Sequence, residues 1–499
     1  MVPEVQLKAK YEKLIAMHEE LESKYDELLE KHKTTFVKKV YELLDPLDIK
    51  YYAPELGAFL SMDAEVRYCA KVQQALIVGL RDYGLATDED VDAMVEAVKL
   101  IRPYEVYRLE KEVTKHDQLA VIQELSNHLP EETARKLHPG TTSYDILDTA
   151  RSRMYKDALQ QVIIPQTKKC LGVLCDLAEE YADRVQVGRT HGQWTSPVTF
   201  GYSIAHYAER LSRRLPKLVD IQHDLRGKIA GMVGTRASTG IFVGQEHALD
   251  FERRVLKFLH LEPVEAPTQI VPKEEVADMV HFMITSHGVL ADMSNTMRDL
   301  QRSEIDEVSQ ADTLDRLGGS SADPSKNNPI TFENIQGMYE GFIKNMILNT
   351  YELAVSDHQR DLRNSVIARF IPLVFAGYYD SLKRATRVMG NLAVIHESMD
   401  RNLDLANQKG NGEPMNAVLK RADFPNAHSR VNVWSKLAAK ERRNLLEVAL
   451  EDEEFAEVYS TLPENHQKRI QNNREHIGCA AEQTLNLVER IRAQLRLNE

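Results

Sequence analysis

Three turn-rich segments, His138-Pro139-Gly140-Thr141-Thr142-Ser143, Gly188-Arg189-Thr190-His191-Gly192-Gln193 and Gly319-Ser320-Ser321 through Lys326-Asn327-Asn328-Pro329, and an arginine-bearing stretch from Gln359-Arg360 through Ser365 to Arg369 gather hydroxyls, histidines and cations of the kind that handle a small anion. Short hydroxyl side chains after Pro-Gly present donors to an oxyanion, and the same residues suit the N-cap of a following helix; both roles can coexist, because a helix N-terminus itself favours negative charge. Ser365 and Arg369 are four apart and share a face if their segment is helical, so with Arg360 they could cradle a phosphate. The plainer alternative for the two arginines is surface ion pairing. His191, one of 17 histidines, gains chemical interest from its glycine-flanked setting.

The 499-residue chain exceeds one ordinary core, and a composition of 43% apolar and 28% charged residues with 23 Gly and 18 Pro is that of a folded, multidomain helical protein. A net charge of -13 excludes nonspecific binding to nucleic acid or anionic membrane. Any anionic substrate therefore needs a focused cluster of cations and helix N-termini. Four cysteines without metal-ligand spacing argue against a disulfide framework or structural zinc, and with no apolar leader or membrane-length apolar run the expected location is cytoplasmic.

Helical periodicity supplies the elements that must position these segments. Leu7, Tyr11, Leu14, His18, Leu21, Tyr25 and Leu28 alternate by four and three, the period of a coiled-coil seam, so a long N-terminal helix is expected as far as Leu44, before Asp45-Pro46. Further helices are expected over 63–83, 88–126, 145–182 and 274–308, with Pro216 ending or kinking a helix that carries Ile204, Tyr207, Ala208 and Leu211. Strand signals are nearly absent, and the fold class is all-α.

The first three segments, in this order and separated by roughly 50 and 130 residues, resemble the three shared regions of the fumarase/aspartase superfamily. The resemblance implies a three-domain helical lyase fold with a long central bundle, assembled as a homotetramer whose active sites are shared between subunits. The corresponding boundaries are an N-terminal helical extension over 1–48, then 49–143, a central domain over 144–372 with its mobile loop at 318–329, and 373–499. It also implies elimination across a succinyl C–N or C–O bond to release fumarate, without cofactor or metal. In that reaction Ser320 matches the base, Lys326 its supporting cation, His191 the general acid and Glu333 the carboxylate paired with it. Thr142, Ser143 and Asn328 match residues that hold substrate carboxylates.

Lys115-His116-Asp117, Thr268-Gln269 and Gln359–Arg369 resemble elements of the adenylosuccinate lyase branch, which implies a succinyl nucleotide as substrate. There His116, Asp117 and Gln269 would meet the succinyl nucleotide, and Arg360, Ser365 and Arg369 its phosphate. Lys50 and Tyr51 stand where that branch carries Arg-Tyr. Asp323, Ser325, Asn327 and Asn364 replace frequent methionine, histidine, arginine and histidine, respectively. Asp323 is expected to face its own loop backbone, since Asp-Pro suits a turn. Two other readings stay open on the residues alone: a lyase acting on a different anion, and an inactive member serving structure or interaction.

Overall fold

The computed structural model describes residues 50–51, 53–310, 323, 326–351, 355–361 and 363–497. Met1–Pro54 and Glu55–Glu499 form separate compact units. The expected N-terminal helix lies outside the described residues, as do Ser320 and Ser325; Lys50 and Tyr51 form a turn in the first unit.

The second unit is built from helices: α1 (Met62–Arg81), α2 (Asp117–Ser126), α3 (Ser143–Ala158), α4 (Ile164–Glu180), α5 (Phe200–Ser212), α6 (Ala248–Phe258), α7 (Glu274–Leu300), α8 (Ile330–Gly341), α9 (Ile371–Gly390), α10 (His396–Lys409) and α11 (Ala480–Leu497), with shorter helices between them. Helices α4, α5, α7, α8, α9 and α11 pack side by side, and α1 lies against α3 and α6. Helix α7, about 40 Å long at 1.5 Å per residue, buries Val276, Met279, Val280, Met283, Ile284 and His287 as its periodicity predicts. It also buries Phe282, Val289, Leu290, Met293 and Met297, so more than one face is covered.

Among the described residues, six short strands form three antiparallel pairs: β1 (Val185–Gln186) with β4 (Val198–Thr199), β2 (Arg189–Thr190) with β3 (Gln193–Trp194), and β5 (Val308–Gln310) with β6 (Leu392–Val394). No described helix is long and apolar enough to cross a membrane.

Three helical expectations are corrected. The pattern over 88–126 breaks into Asp88–Leu100, Pro103–Leu109, a π turn at Glu110–Thr114 and α2. Pro103 has no N–H to continue the first helix and starts the second, while left-handed Lys115 (φ 55°) closes the π turn. The segment 145–182 is interrupted by a π turn at Leu159–Ile163 just before Pro165, where a backbone donor is missing. Helix α7 stops at Leu300 rather than 308. There Asp306 turns left-handed (φ 57°), Glu307 N–H bonds Leu300 O at 2.9 Å, and the Glu307 side chain enters the core. Pro216 sits in the first turn of a new helix, Leu215–Asp224, once α5 has ended.

Candidate active site

Helix α3 begins at the expected hydroxyls. Thr142 is its N-cap and Ser143 its first residue, and the Thr142 N–H donates to Asp145 Oδ2 at 2.7 Å. Asp145 is fully buried. Besides Thr142 it accepts the N–H groups of Ala230 (2.9 Å) and Gly231 (3.0 Å) and pairs with the equally buried Lys228 ammonium. A buried carboxylate with this many donors is held rigid, and it locks the hydroxyl pair against the 228–231 loop.

Ser143 Oγ lies 3.3 Å from His116 Nε2. His116 is fixed from behind as N-cap of α2: the Gln118 N–H is shared by Asp117 Oδ1 (2.7 Å) and His116 Nδ1 (3.2 Å). Burial pushes the neighbouring His138 down from its ordinary pKa; its Nδ1 is 3.1 Å from Gln73 Nε2, and its backbone N–H donates to Gln73 Oε1 at 3.0 Å.

The residue after Ser143 links this group to the expected phosphate segment. The Arg360 guanidinium lies over the Tyr144 ring, 3.6 Å from its centroid, and Nη1 donates to Asn364 Oδ1 at 2.8 Å. Gln269 N–H donates to Gln359 O at 3.3 Å, bringing the Thr268-Gln269 segment to the same place. Behind it, Asp148 accepts the Val271 N–H (2.9 Å) and pairs with Lys273 at 2.7 Å; burial holds Lys273 below its ordinary pKa. His116, Thr142, Ser143, Gln269 and Arg360 are thus joined through Tyr144 and backbone bonds into one constellation. Ser365 lies in the short helix Arg363–Ala368, but Arg369 falls one residue beyond it, its N–H closing a turn onto Val366 O at 3.2 Å. The expected shared helical face therefore ends before Arg369.

His191 occupies the tip of the β2–β3 hairpin. It and Gly192 both have positive φ (53° and 73°), as a two-residue turn matched to strand twist requires, and the imidazole is exposed. The hairpin is anchored at its base. Gly188 lets the chain pass so close to Ser196 that a Cβ would sit 2.2 Å from its carbonyl oxygen, and Thr195 N–H bonds Gly188 O at 2.8 Å. Arg189 makes a bidentate pair with buried Glu307 (2.6 and 3.2 Å), which also accepts from Gln186 (2.6 Å) and Asn402 (2.8 Å). A cavity of about 830 Å³ opens beside it, lined by Arg189, Thr190, Gly192, Thr296, Asp299 and Arg302 among others.

The distal end of the signature loop docks on β5. Asn327 Nδ2 donates to Ser309 Oγ (2.9 Å) and Gln310 O (3.0 Å), and its carbonyl accepts from Gln301 Nε2 at 3.1 Å. Asp323 O accepts the Lys326 N–H at 3.2 Å. Lys326 is exposed, Asn328 is half-buried, and Glu333 is exposed in the first turn of α8, its N–H bonded to Pro329 O at 3.0 Å. Among the described residues, no hydrogen bond or ion pair joins His191 to Glu333, or joins either of them or Lys326 to the His116–Arg360 constellation. One protomer therefore displays the expected site in separate pieces.

Sequence reasoning missed the supports: Tyr144, Lys228, Asp148, Lys273 and Glu307. Lys228, a single charge in Gly227-Lys-Ile-Ala-Gly231, carried the clearest signal, since a cation amid small and apolar residues needs a buried partner. A further cavity of about 640 Å³ beside α10 is lined by Lys409, Arg442 and Trp194, and none of the expected site residues lines it.

A family model described as Lyase matches residues 87–340, about half the chain. Adenylosuccinate lyases of Methanocaldococcus jannaschii and Pyrococcus horikoshii are 30% and 31% identical to it, over 87% and 89% of this chain and 93% and 97% of theirs. The fold is shared with a fumarate lyase from Mesorhizobium sp. BNC1 (TM-score 0.77, 23% identity, 88% of this chain and 98% of that one). It is shared equally with 3-carboxy-cis,cis-muconate lactonizing enzyme from Pseudomonas putida (TM-score 0.77, 21% identity, 90% and 99%). By this breadth of match the chain belongs to the fumarase/aspartase lyase superfamily, in the branch of the adenylosuccinate lyases.

Proposed function

We propose that the chain is a cytoplasmic enzyme that cleaves adenylosuccinate into AMP and fumarate, and cleaves the succinylaminoimidazole carboxamide ribotide in the same way. The observation that carries this reading is the convergence of His116, Thr142, Ser143, Gln269 and Arg360 on one place in the protomer. It offers hydroxyl and amide donors for carboxylates and a guanidinium for a phosphate.

In the proposed step Ser320, as alkoxide supported by Lys326, takes the proton from the carbon adjacent to the one that bears the departing amine. The C–H electrons form the C=C of fumarate, the C–N bond breaks, and His191, paired with Glu333, protonates the amine nitrogen of AMP. Asn328 with Thr142 and Ser143 holds the carboxylate on which charge develops; Asp117, Ser365 and Arg369 complete the binding surface. The exposed hairpin tip of His191 and the exposed Glu333 support a site assembled from several subunits of a homotetramer, each supplying one piece.

Incubation with adenylosuccinate should release AMP and fumarate in equal amounts, followed by absorbance and confirmed by mass. Ser320→Ala should lower turnover by at least about 100-fold with the fold unchanged. An intact oligomer that yields neither product would refute the reading.

A further inference from the structure

We propose that Tyr144 and Asn364 are positioning residues that set the plane of the Arg360 guanidinium, and thereby the affinity for the phosphate of the nucleotide; this rests on Arg360 being the phosphate ligand in the function proposed above. A guanidinium on a flexible stem has many orientations and loses side-chain entropy when an anion fixes it. Here two contacts fix it in advance. The Tyr144 ring meets its face at 3.6 Å, and Asn364, itself buried, accepts Nη1 at 2.8 Å.

The face contact matters because the π surface consumes none of the five N–H donors, which lie in the guanidinium plane. Among the described residues Nη2 has no acceptor, and the residue as a whole is half-buried, so the group retains donor capacity for an oxyanion. The backbone holds this arrangement from both sides. Tyr144 lies in the first turn of α3 next to Ser143, and Gln359 O is tied to Gln269 N–H. Asp361, whose carboxyl is held well below the usual range by Arg363 and by the N–H groups of Asp357 and Arg363, ties the start of the Asn364 helix to Asp357.

The two products separate this role from a structural one, because AMP carries the phosphate and fumarate does not. Tyr144→Leu should raise KM for adenylosuccinate and the inhibition constant of AMP about ten-fold, with kcat within about two-fold and the inhibition constant of fumarate unchanged. Tyr144→Phe, which keeps the ring face, should restore wild-type values. Asn364→Leu, of similar branched shape but without the acceptor, should give the same AMP-selective loss. Equal losses for AMP and fumarate, or no loss in either variant while Arg360→Gln weakens AMP, would overturn the positioning role alone. If Arg360→Gln leaves AMP inhibition unchanged, the phosphate assignment of Arg360 falls and the proposal with it.

Discussion

Replacing Asp145 by Asn tests whether the buried Asp145–Lys228 pair sets the hydroxyl element at the head of α3. Both side chains are fully buried, so removing the charge leaves an ammonium without a counter-charge, its acceptors reduced to a neutral amide oxygen and Gly231 O at 3.4 Å. Breaking a buried pair from one side costs about 3–5 kcal/mol. The new amide adds to this by turning an NH2 group among donors that all need an acceptor. The reverse cut should be cheaper. In Lys228→Met the carboxylate keeps the N–H groups of Thr142, Ala230 and Gly231, so a loss of about 1–3 kcal/mol is expected.

In the double variant no ammonium is stranded, and it should be more stable than Asp145→Asn alone, with a coupling of at least about 1 kcal/mol. Urea unfolding followed by circular dichroism, at one fixed protein concentration because assembly contributes to stability, measures all four forms. Lys228→Met proving costlier than Asp145→Asn, or a coupling below about 0.5 kcal/mol, would refute the ranking. Because Asp145 also receives the Thr142 N–H, Asp145→Asn should raise KM in whatever fraction stays folded.

The imidazole of His287, buried between α7, Tyr339 and Tyr378, is pushed down to a pKa of about 4 by burial, against a weaker opposing bond to Ile335 O. The unfolded chain binds this proton below about pH 6.5 while the folded chain refuses it until about pH 4, so stability falls as pH drops through that window, by roughly 3 kcal/mol in all. His287→Gln, which keeps a donor for Ile335 O, should flatten that part of the stability curve, and an unchanged acid slope would count against it. Gly188→Ala forces a Cβ to within 2.2 Å of Ser196 O and must displace the His191 hairpin; kcat should fall about 100-fold with unchanged far-ultraviolet dichroism, and activity within three-fold of wild type would exclude a positioning role for the hairpin base. Glu307→Gln faces the Gln186 and Asn402 amides with a third NH2 and loses the Arg189 fork, so it should cost about 3 kcal/mol and lower kcat, whereas a stable, fully active variant would separate the hairpin from its anchor.

What the sequence made legible was periodicity and local chemistry. Leu, Met and Val at helical spacing place the α7 core, and Thr142-Ser143 after Pro-Gly foretells both a helix start and an anion site. What it hid was every feature decided by a distant partner. Glu307 reads as one more helical carboxylate until Arg189, 118 residues earlier, claims it and ends the helix at Leu300. Tyr144 reads as an ordinary aromatic until Arg360 stacks on it. Lys115 and His191 adopt left-handed backbone that neither residue type advertises; the surrounding turns impose it.

The same distinction explains why the expected site comes in pieces. The residues joined within the protomer are those whose elements are braced by buried charge: Asp145–Lys228 behind Thr142 and Ser143, and Asp148–Lys273 behind Gln269. His191 and Glu333 are displayed instead at a hairpin tip and a helix start, exposed, with only their bases anchored by Arg189–Glu307 and by Asn327 on β5. A group that had to reach a partner inside its own protomer would be held there at the cost of exposure. A rigid base with an exposed tip is a geometry that suits delivery of a group to a substrate held elsewhere, and it supports the proposal that the site is assembled from several subunits.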